Sequence, residues 1–203
     1  MRIAVMGAGN VGRALGRRLS GLGHEVVFGV RDPGAEKHAA ITDDGSGSRV
    51  ASMADAAGGA DLVVLAVPVA ALGDVVDQAG DLAGSVVADA TNVLVGPIPG
   101  GHPSVAHHVK ALVGEVPVVK AWNTIGWETM VDPSFDDQPA VLPIAGDADG
   151  RGPVADLAEA MGFEVLDLGD LDAAPLVEAF ARIWIKAMLS GLGRDWAFGI
   201  LRR

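Results

Sequence analysis

Gly7, Gly9 and Gly12 space three glycines as G-x-G-x-x-G, directly after the apolar run "RIAVM" and at the head of a segment with helical periodicity. That spacing suits the binding of a phosphate anion. The first glycine permits a tight turn from strand to helix, and the second lets the backbone come close to a pyrophosphate. The third lets the helix pack against the sheet, while the open N–H groups of the helix start face the negative charge. The glycines follow a strand that starts at residue 2, and "GHEVVFGV" supplies a second strand at about the distance a βαβ unit requires. The pattern therefore reads as a dinucleotide site rather than as a structural turn alone.

The end of the second strand selects the nucleotide. An acid there takes the adenosine ribose hydroxyls, whereas an arginine accommodates a 2′-phosphate. The sequence is "GVRDP": Val30 stands where the acid is expected, and Arg31 follows it. A guanidinium grips a phosphate through parallel hydrogen bonds, so the sequence favours NADP(H). If Asp32 rather than Val30 faces the ribose, Arg31 becomes an exposed turn residue paired with Asp32, and NAD is favoured instead.

Ligands of open α/β sheets lie beyond the carboxyl ends of the strands. "AVP", comprising Ala66, Val67 and Pro68, and "DATN", ending at Asn92, are expected to face the cofactor. Asn92 carries both a donor and an acceptor for the nicotinamide ribose or amide. In "VVKAWNTIGW", Asn123 and Thr124 hold the equivalent place on a later strand, beside Trp122 and Trp127. Asn and Thr are also ordinary turn formers and Trp is ordinary core, so this turn reads equally as packing. Lys120 could act as an acid, although a lysine before a strand end is more commonly solvated or paired. His102, His107 and His108 fit no common zinc spacing, and no metal site is expected. No Ser, His and acid set points to a hydrolase, and no catalytic acid–base pair stands out.

The elements that must position these residues read as continuous apolar runs, as a parallel sheet covered on both faces requires. "RIAVMG", "EVVFGV", "DLVVLAVP", "SVVADAT", "VPVVKAW", "AVLPIAG" and "FEVLDLG" are the candidate strands. Val11, Leu15, Leu19 and Leu22 form one helical stripe, and Val154, Leu157, Ala158 and Met161 form another that stops at Gly162. A last helix carries Leu176, Phe180, Ile183, Trp184 and Ala187, and a short helical piece is expected after "SGLGR". "TDDGSGS" at 42–48 and "GPIPGGHPS" at 96–104 read as surface loops, the second lying over the site. The fold class is α/β: one Rossmann-type domain over 1–203, doubly wound on a mainly parallel sheet, with 170–203 as a small C-terminal helical extension.

Composition narrows the partners. The chain has 203 residues, a formal net charge of −11, half apolar residues, 4% aromatics and no cysteine. A negative field without a basic run excludes a phosphate-backbone partner, so no nucleic acid is expected. Absence of cysteine excludes disulfides and thiolate chemistry and fits a reducing compartment. The longest apolar stretch, "LVVLAVPVAAL", is broken by Pro68 and falls well short of the roughly 20 residues a membrane span needs. The protein is expected to be soluble and cytoplasmic. An apolar C-terminal helix with Trp184 and Trp196 would suit the contact of a homodimer.

"MRIAVMGAGNVGRALGRRLSGLGHEVVFGVRDP", "DLVVLAVP", "VVADATN" and "VVKAWNTI", in this order, resemble the NADP reductases that depend on the deazaflavin coenzyme F420. The resemblance covers nearly the whole chain and includes the closing "SGLGRDWAFGI". The cytosolic reductase domain of the six-transmembrane metalloreductases is similar too, with an "AFNTI" turn close to the "AWNTI" found here. The resemblance implies a Rossmann domain and hydride transfer between C4 of the nicotinamide and C5 of the deazaflavin. It assigns the pyrophosphate to Gly9, Asn10, Val11 and Gly12, and the 2′-phosphate to Arg31. Val67 and Pro68 take the nicotinamide half, and Asn123, Thr124 and Ile125 border the second ring.

Two departures concern the acceptor. Archaeal members have a His at the position of Asn123, and a Ser-rich segment with an Arg where this chain reads "LDAAP" from Leu171 to Pro175. Coenzyme F420, a flavin or another small planar redox acceptor therefore remain candidates. The alternatives are a non-catalytic NADP(H)-binding regulator and a reductase of a small imine or 2-oxo substrate. β-Hydroxyacid dehydrogenases and pyrroline-5-carboxylate reductases share the first half but follow it with helices, whereas strands recur here at 141–145 and 163–168.

Overall fold

The computed structural model describes residues 1–42, 45–93 and 96–203. Six parallel strands form its centre: β1 (Arg2–Met6), β2 (Glu25–Gly29), β3 (Arg49–Ala51), β4 (Leu62–Leu65), β5 (Val86–Asp89) and β6 (Val118–Lys120). Their order is β3-β2-β1-β4-β5-β6, so the chain reverses its winding between β1 and β4. The carboxyl ends of β1 and β4 then diverge into loops on opposite sides of a cleft, which is where such sheets bind ligands. Beyond β6 the sheet continues with β9 (Val141–Gly146), antiparallel to β6, and β10 (Glu164–Asp167), parallel to β9. A separate short hairpin pairs β7 (Ser134–Phe135) with β8 (Gln138–Pro139).

Successive strand residues point to opposite faces. Ile3 and Val5 enter one apolar core, and Ala4 and Met6 enter the other. The first core is covered by α1 (Asn10–Gly21) and α7 (Ala148–Met161), through Leu15, Leu19, Val154, Leu157 and Met161. The second is covered by α3 (Met53–Ala57), α4 (Leu72–Ala79), α5 (Val105–Val113) and α8 (Ala174–Ala187). Short helices α2 (Ala39–Thr42) and α6 (Trp127–Val131) complete the chain order. All seven apolar runs form strands. The two- and three-residue strands β3, β7 and β8 were missed because they are too short to show a pattern, and Asp43 and Asp44 of the loop before β3 lie outside the described residues.

The last helix departs from expectation. Leu176 and Ile183 are exposed, and the buried face consists of Ala174, Val177, Glu178, Ala181 and Trp184. The small alanines let the helix lie close to the sheet, and Glu178 is drawn inward by buried donors. Trp184 is buried and stacks on the half-buried Trp196 of the same chain, with ring centroids 5.9 Å apart. No helix follows "SGLGR". There the carbonyl of Phe198 accepts from the Val141 N–H and that of Trp196 from the Trp184 indole, contacts with distant residues that a helix would not provide. Among the described residues no helix is long and apolar enough to cross a membrane.

Gly16 shows how tightly α1 is seated, because a Cβ there would stand 2.2 Å from the buried Phe28 ring. Gly16→Ala is expected to cost about 1–3 kcal/mol through overpacking. A thermal melt should therefore fall by several degrees, at about 2–4 °C per kcal/mol for this length; an unchanged melting temperature would show that the α1–β2 contact is loose.

Candidate functional site

The turn between β1 and α1 forms the floor of the cleft. Gly7 has φ +109°, and a Cβ on it would meet the Ala66 carbonyl at 2.6 Å. A Cβ on Gly12 would stand 2.1 Å from the Gly7 carbonyl, so both glycines are required by packing. Gly9 differs: a Cβ there would meet no protein atom within 4 Å, and its φ of −77° is open to any residue. Nothing inside the protein requires glycine at this position, whereas close approach by a ligand would. Gly9 is also the N-cap of α1, with no side-chain capping hydrogen bond and no acid in the first turn. Its free N–H groups and dipole are thus available to an anion.

Two cavities meet at Gly9. One, about 390 Å³, is lined by Gly7, Gly9, Val30, Arg31, Asp32, Lys37 and Arg13, among others. Arg13 braces its wall by donating to the carbonyls of Ala8 and Lys37, both at 2.9 Å. Val30 is nearly buried and contributes an apolar wall, and its N–H bonds to the Ala51 carbonyl. Arg31 is exposed and has no ion-pair partner among the described residues, while the Asp32 carboxylate accepts from the Gly34 N–H at 3.1 Å. The Arg31–Asp32 pair that an ordinary turn would contain is therefore not formed.

The other cavity, about 380 Å³, lies on the β4 side and is lined by Asn10, Val11, Ala66, Val67, Pro68, Thr91, Asn92, Trp127 and Arg194 besides Gly9. Asn92 also borders a cavity of about 440 Å³ beneath Pro97 and Pro99, and one of about 270 Å³ bounded by Glu178 and Arg182. It thus stands at the junction of three spaces. Leu94 and Val95, next along the chain, lie outside the described residues.

Asn123, Thr124 and Ile125 line none of these cavities; all three are buried, and Asn123 bonds Asn92. Trp122, with φ +57° and no exposure, reverses the chain after β6. The reversal points the Asn123 carbonyl at the Asn92 amide, 2.7 Å away, and the Asn123 amide returns a bond to Asn92 Oδ1 at 3.1 Å. A non-glycine residue in this backbone region costs of order 1 kcal/mol or more, a strain tolerated where the surroundings fix it. The turn acts on the cleft through Asn92.

Sequence reasoning missed Arg194. The C-terminal segment brings it back over the cleft, where it bonds both Glu128 oxygens, at 2.7 and 3.0 Å, and lies 5.7 Å from the Trp184 ring centroid. Only the fold brings residues 128 and 194 together, so spacing carried no signal.

The sequence profile described as "NADP oxidoreductase coenzyme F420-dependent" matches residues 2–93. A crystal structure from Arthrobacter sp. FB24, provisionally described as an F420-dependent NADP reductase, superposes over 100% of both chains with a TM-score of 0.89 and 30% identity. The chain belongs to this family of NADP oxidoreductases. The metalloreductase STEAP3 of Rattus norvegicus is 30% identical over 179 residues, 88% of this chain but 36% of that protein's length. A reductive aminase from Aspergillus terreus, solved with NADPH and ethyl-5-oxohexanoate, shares the fold at 19% identity and a TM-score of 0.72, over 93% of this chain and 61% of its own.

In this family member the hydrogen bonds from Arg194 hold the Glu128 carboxyl below the usual carboxylate range, and Glu128 raises the guanidinium in return. A depressed acid stabilises the fold above its unfolded value, and that contribution is lost as pH falls through the folded one. Both side chains are partly exposed, so the pair contributes at most about 1 kcal/mol. Arg194→Gln should lower stability at neutral pH, and its gap from wild type should close in strong acid. Denaturant titrations along a pH series measure this; a gap that does not vary with pH would assign it to packing on Trp184.

Proposed function

We propose that the cleft binds NADP(H) and that the protein transfers hydride between the nicotinamide and a planar deazaflavin or flavin-type acceptor. The observation that carries this reading is Gly9, a glycine with no packing reason, placed at the uncapped start of α1 between two cavities. On this reading the backbone of Gly9, Asn10, Val11 and Gly12 holds the pyrophosphate. Arg31, free of Asp32 and sharing its cavity with Lys37 and Arg13, takes the 2′-phosphate. The nicotinamide half then extends the opposite way, along Ala66, Val67 and Pro68 to Asn92.

When bound, NADPH supplies the hydride. The protein's own part is to hold two rings at reacting distance and keep water out, which needs no acid–base pair at the reacting carbon. Asn92, held on both sides of its amide by Asn123, offers a rigid donor and acceptor at that point. Pro68, Val69, Pro97 and Pro99 give an apolar wall against which a flat acceptor ring can lie. The family profile and the Arthrobacter relative support F420 among the acceptors. The likeness to the metalloreductase supports a reductase activity and leaves the acceptor open between F420 and a flavin.

Arg31→Ala should weaken NADPH binding by roughly 10- to 100-fold, the range for losing hydrogen bonds to a charged group, and leave NADH nearly unchanged. Calorimetric titration with both nucleotides tests this, and equal losses on both would remove Arg31 from the 2′-phosphate. Absorbance assays of NADPH oxidation with F420, FMN and FAD then separate the acceptors. Tight binding of NADPH without oxidation by any of them would favour a regulatory nucleotide-binding protein.

A further inference from the structure

Beneath the Asn92 junction lies a buried charge cluster that no step above uses. Lys120, at the end of β6, has no exposed surface, and neither does Asp89, at the end of β5. The Lys120 ammonium donates to Asp89 Oδ2 at 2.8 Å and to the Thr91 carbonyl at 2.6 Å, and lies 3.2 Å from Glu178 Oε1 on α8. Asp89 Oδ1 accepts from the Thr91 N–H at 2.9 Å and the Thr91 hydroxyl at 2.7 Å, and Glu178 Oε1 accepts from the Val105 N–H at 2.8 Å. One ammonium thus faces two carboxylates, which leaves one formal negative charge in excess.

No neighbour cancels that excess at close range. His108 lies near Asp89, which favours its charged form, but burial and the nearby His102 outweigh this and hold its imidazole below the ordinary value. Lys110 is paired with Asp147 at 2.9 Å. Arg182, one turn along α8, shares the 270 Å³ cavity with Glu178 and Asn92 but is exposed and forms no ion pair among the described residues, so solvent weakens its offset of the charge without removing it. The cluster is separated from the β4-side cavity by a single residue, since Thr91 both lines that cavity and accepts from Lys120.

We infer that the Asp89–Lys120–Glu178 cluster sets the redox preference of the nucleotide, stabilising NADP⁺ relative to NADPH in the cleft. The inference rests on the proposed binding of NADP(H) there. The two bound forms differ by one positive charge on the nicotinamide ring. Two electrons and one proton leave its C4 as hydride, the deazaflavin or flavin ring accepts the hydride and takes a second proton from solvent, and the nicotinamide becomes cationic. A fixed negative charge behind Thr91 and Asn92 favours the cationic ring and leaves the neutral one almost unaffected. For unit charges on the order of 10 Å apart at an effective dielectric of about 20, such an attraction shifts the ratio of affinities by about tenfold. Within the complex, the cluster therefore favours hydride transfer from NADPH to the acceptor.

The test is titration of the full chain with NADPH and with NADP⁺. Glu178→Gln keeps an oxygen for Lys120 and for the Val105 N–H while removing the excess charge. It should weaken NADP⁺ about tenfold and leave NADPH nearly unchanged, which corresponds to a fall of about 30 mV in the driving force of the bound couple. Arg182→Gln, at an exposed position that folding does not depend on, should move the ratio the other way by a smaller factor, and it serves if Glu178→Gln does not fold. A purely structural role would weaken both nucleotides together and leave the ratio unchanged, and that result, or shifts of the same sign in both variants, would overturn the inference. If wild type binds neither nucleotide, the functional reading itself fails; if it binds both and the ratio stays fixed, only the charge effect fails.

Discussion

The Lys120 ammonium is the contact on which the rest of the site depends. It lies where β5, β6 and α8 converge, and each element supplies an acceptor: Asp89 and the Thr91 carbonyl from the end of β5, and Glu178 from α8. Burying such a cluster is expensive, and removing one partner strands the others. The arrangement stabilises the fold little compared with an apolar substitute, but it fixes one geometry. Thr91 is held by its carbonyl, amide and hydroxyl, and Asn92 follows it directly into the cleft. The rotation of α8 follows from the same contact, because drawing Glu178 inward turns Leu176 and Ile183 outward.

The opposite wall of the cleft is set by backbone rather than charge. Gly7 and Gly12 close on Ala66 and on each other, which brings the start of α1 against the end of β4. The cleft thus has one wall whose shape depends on missing side chains and one whose shape depends on buried ones. Both walls are tied to the sheet, so neither needs to order itself when a ligand arrives, which removes part of the entropic cost of binding.

Much of this was legible in the sequence. The apolar runs marked the strands because a doubly covered parallel sheet admits little else, and the glycine spacing marked the tight turn from β1 to α1 because two of its members are dictated by contact distance. The face of α8 was not legible. Both Leu176/Ile183 and Val177/Ala181/Trp184 have helical spacing, and only the distant Lys120 and Val105 decide between them. The "NTI" turn was legible as a polar turn at a strand end, but its burial depends on the left-handed Trp122, which no residue type announces. Arg194 could not be found at all, since its place depends on a tail that folds back across two other elements.

Charge along the cleft gives the two ends different characters. The chain carries a net charge of −11, yet the cavity at the end of β2 gathers Arg13, Arg31 and Lys37. The region around Asn92 instead backs onto the anionic cluster under Thr91. A phosphate on the β5 side would stand over the buried cluster, with Glu178 and Arg182 both lining the cavity there, whereas at the β2 side it would meet Arg13, Arg31 and Lys37, none of them ion-paired among the described residues. On the proposed binding mode this polarity sets the phosphate end at β2 and the ring end at Asn92, and the reversed orientation would place a phosphate over the anionic cluster, so orientation and redox preference would share an origin in where the charges lie.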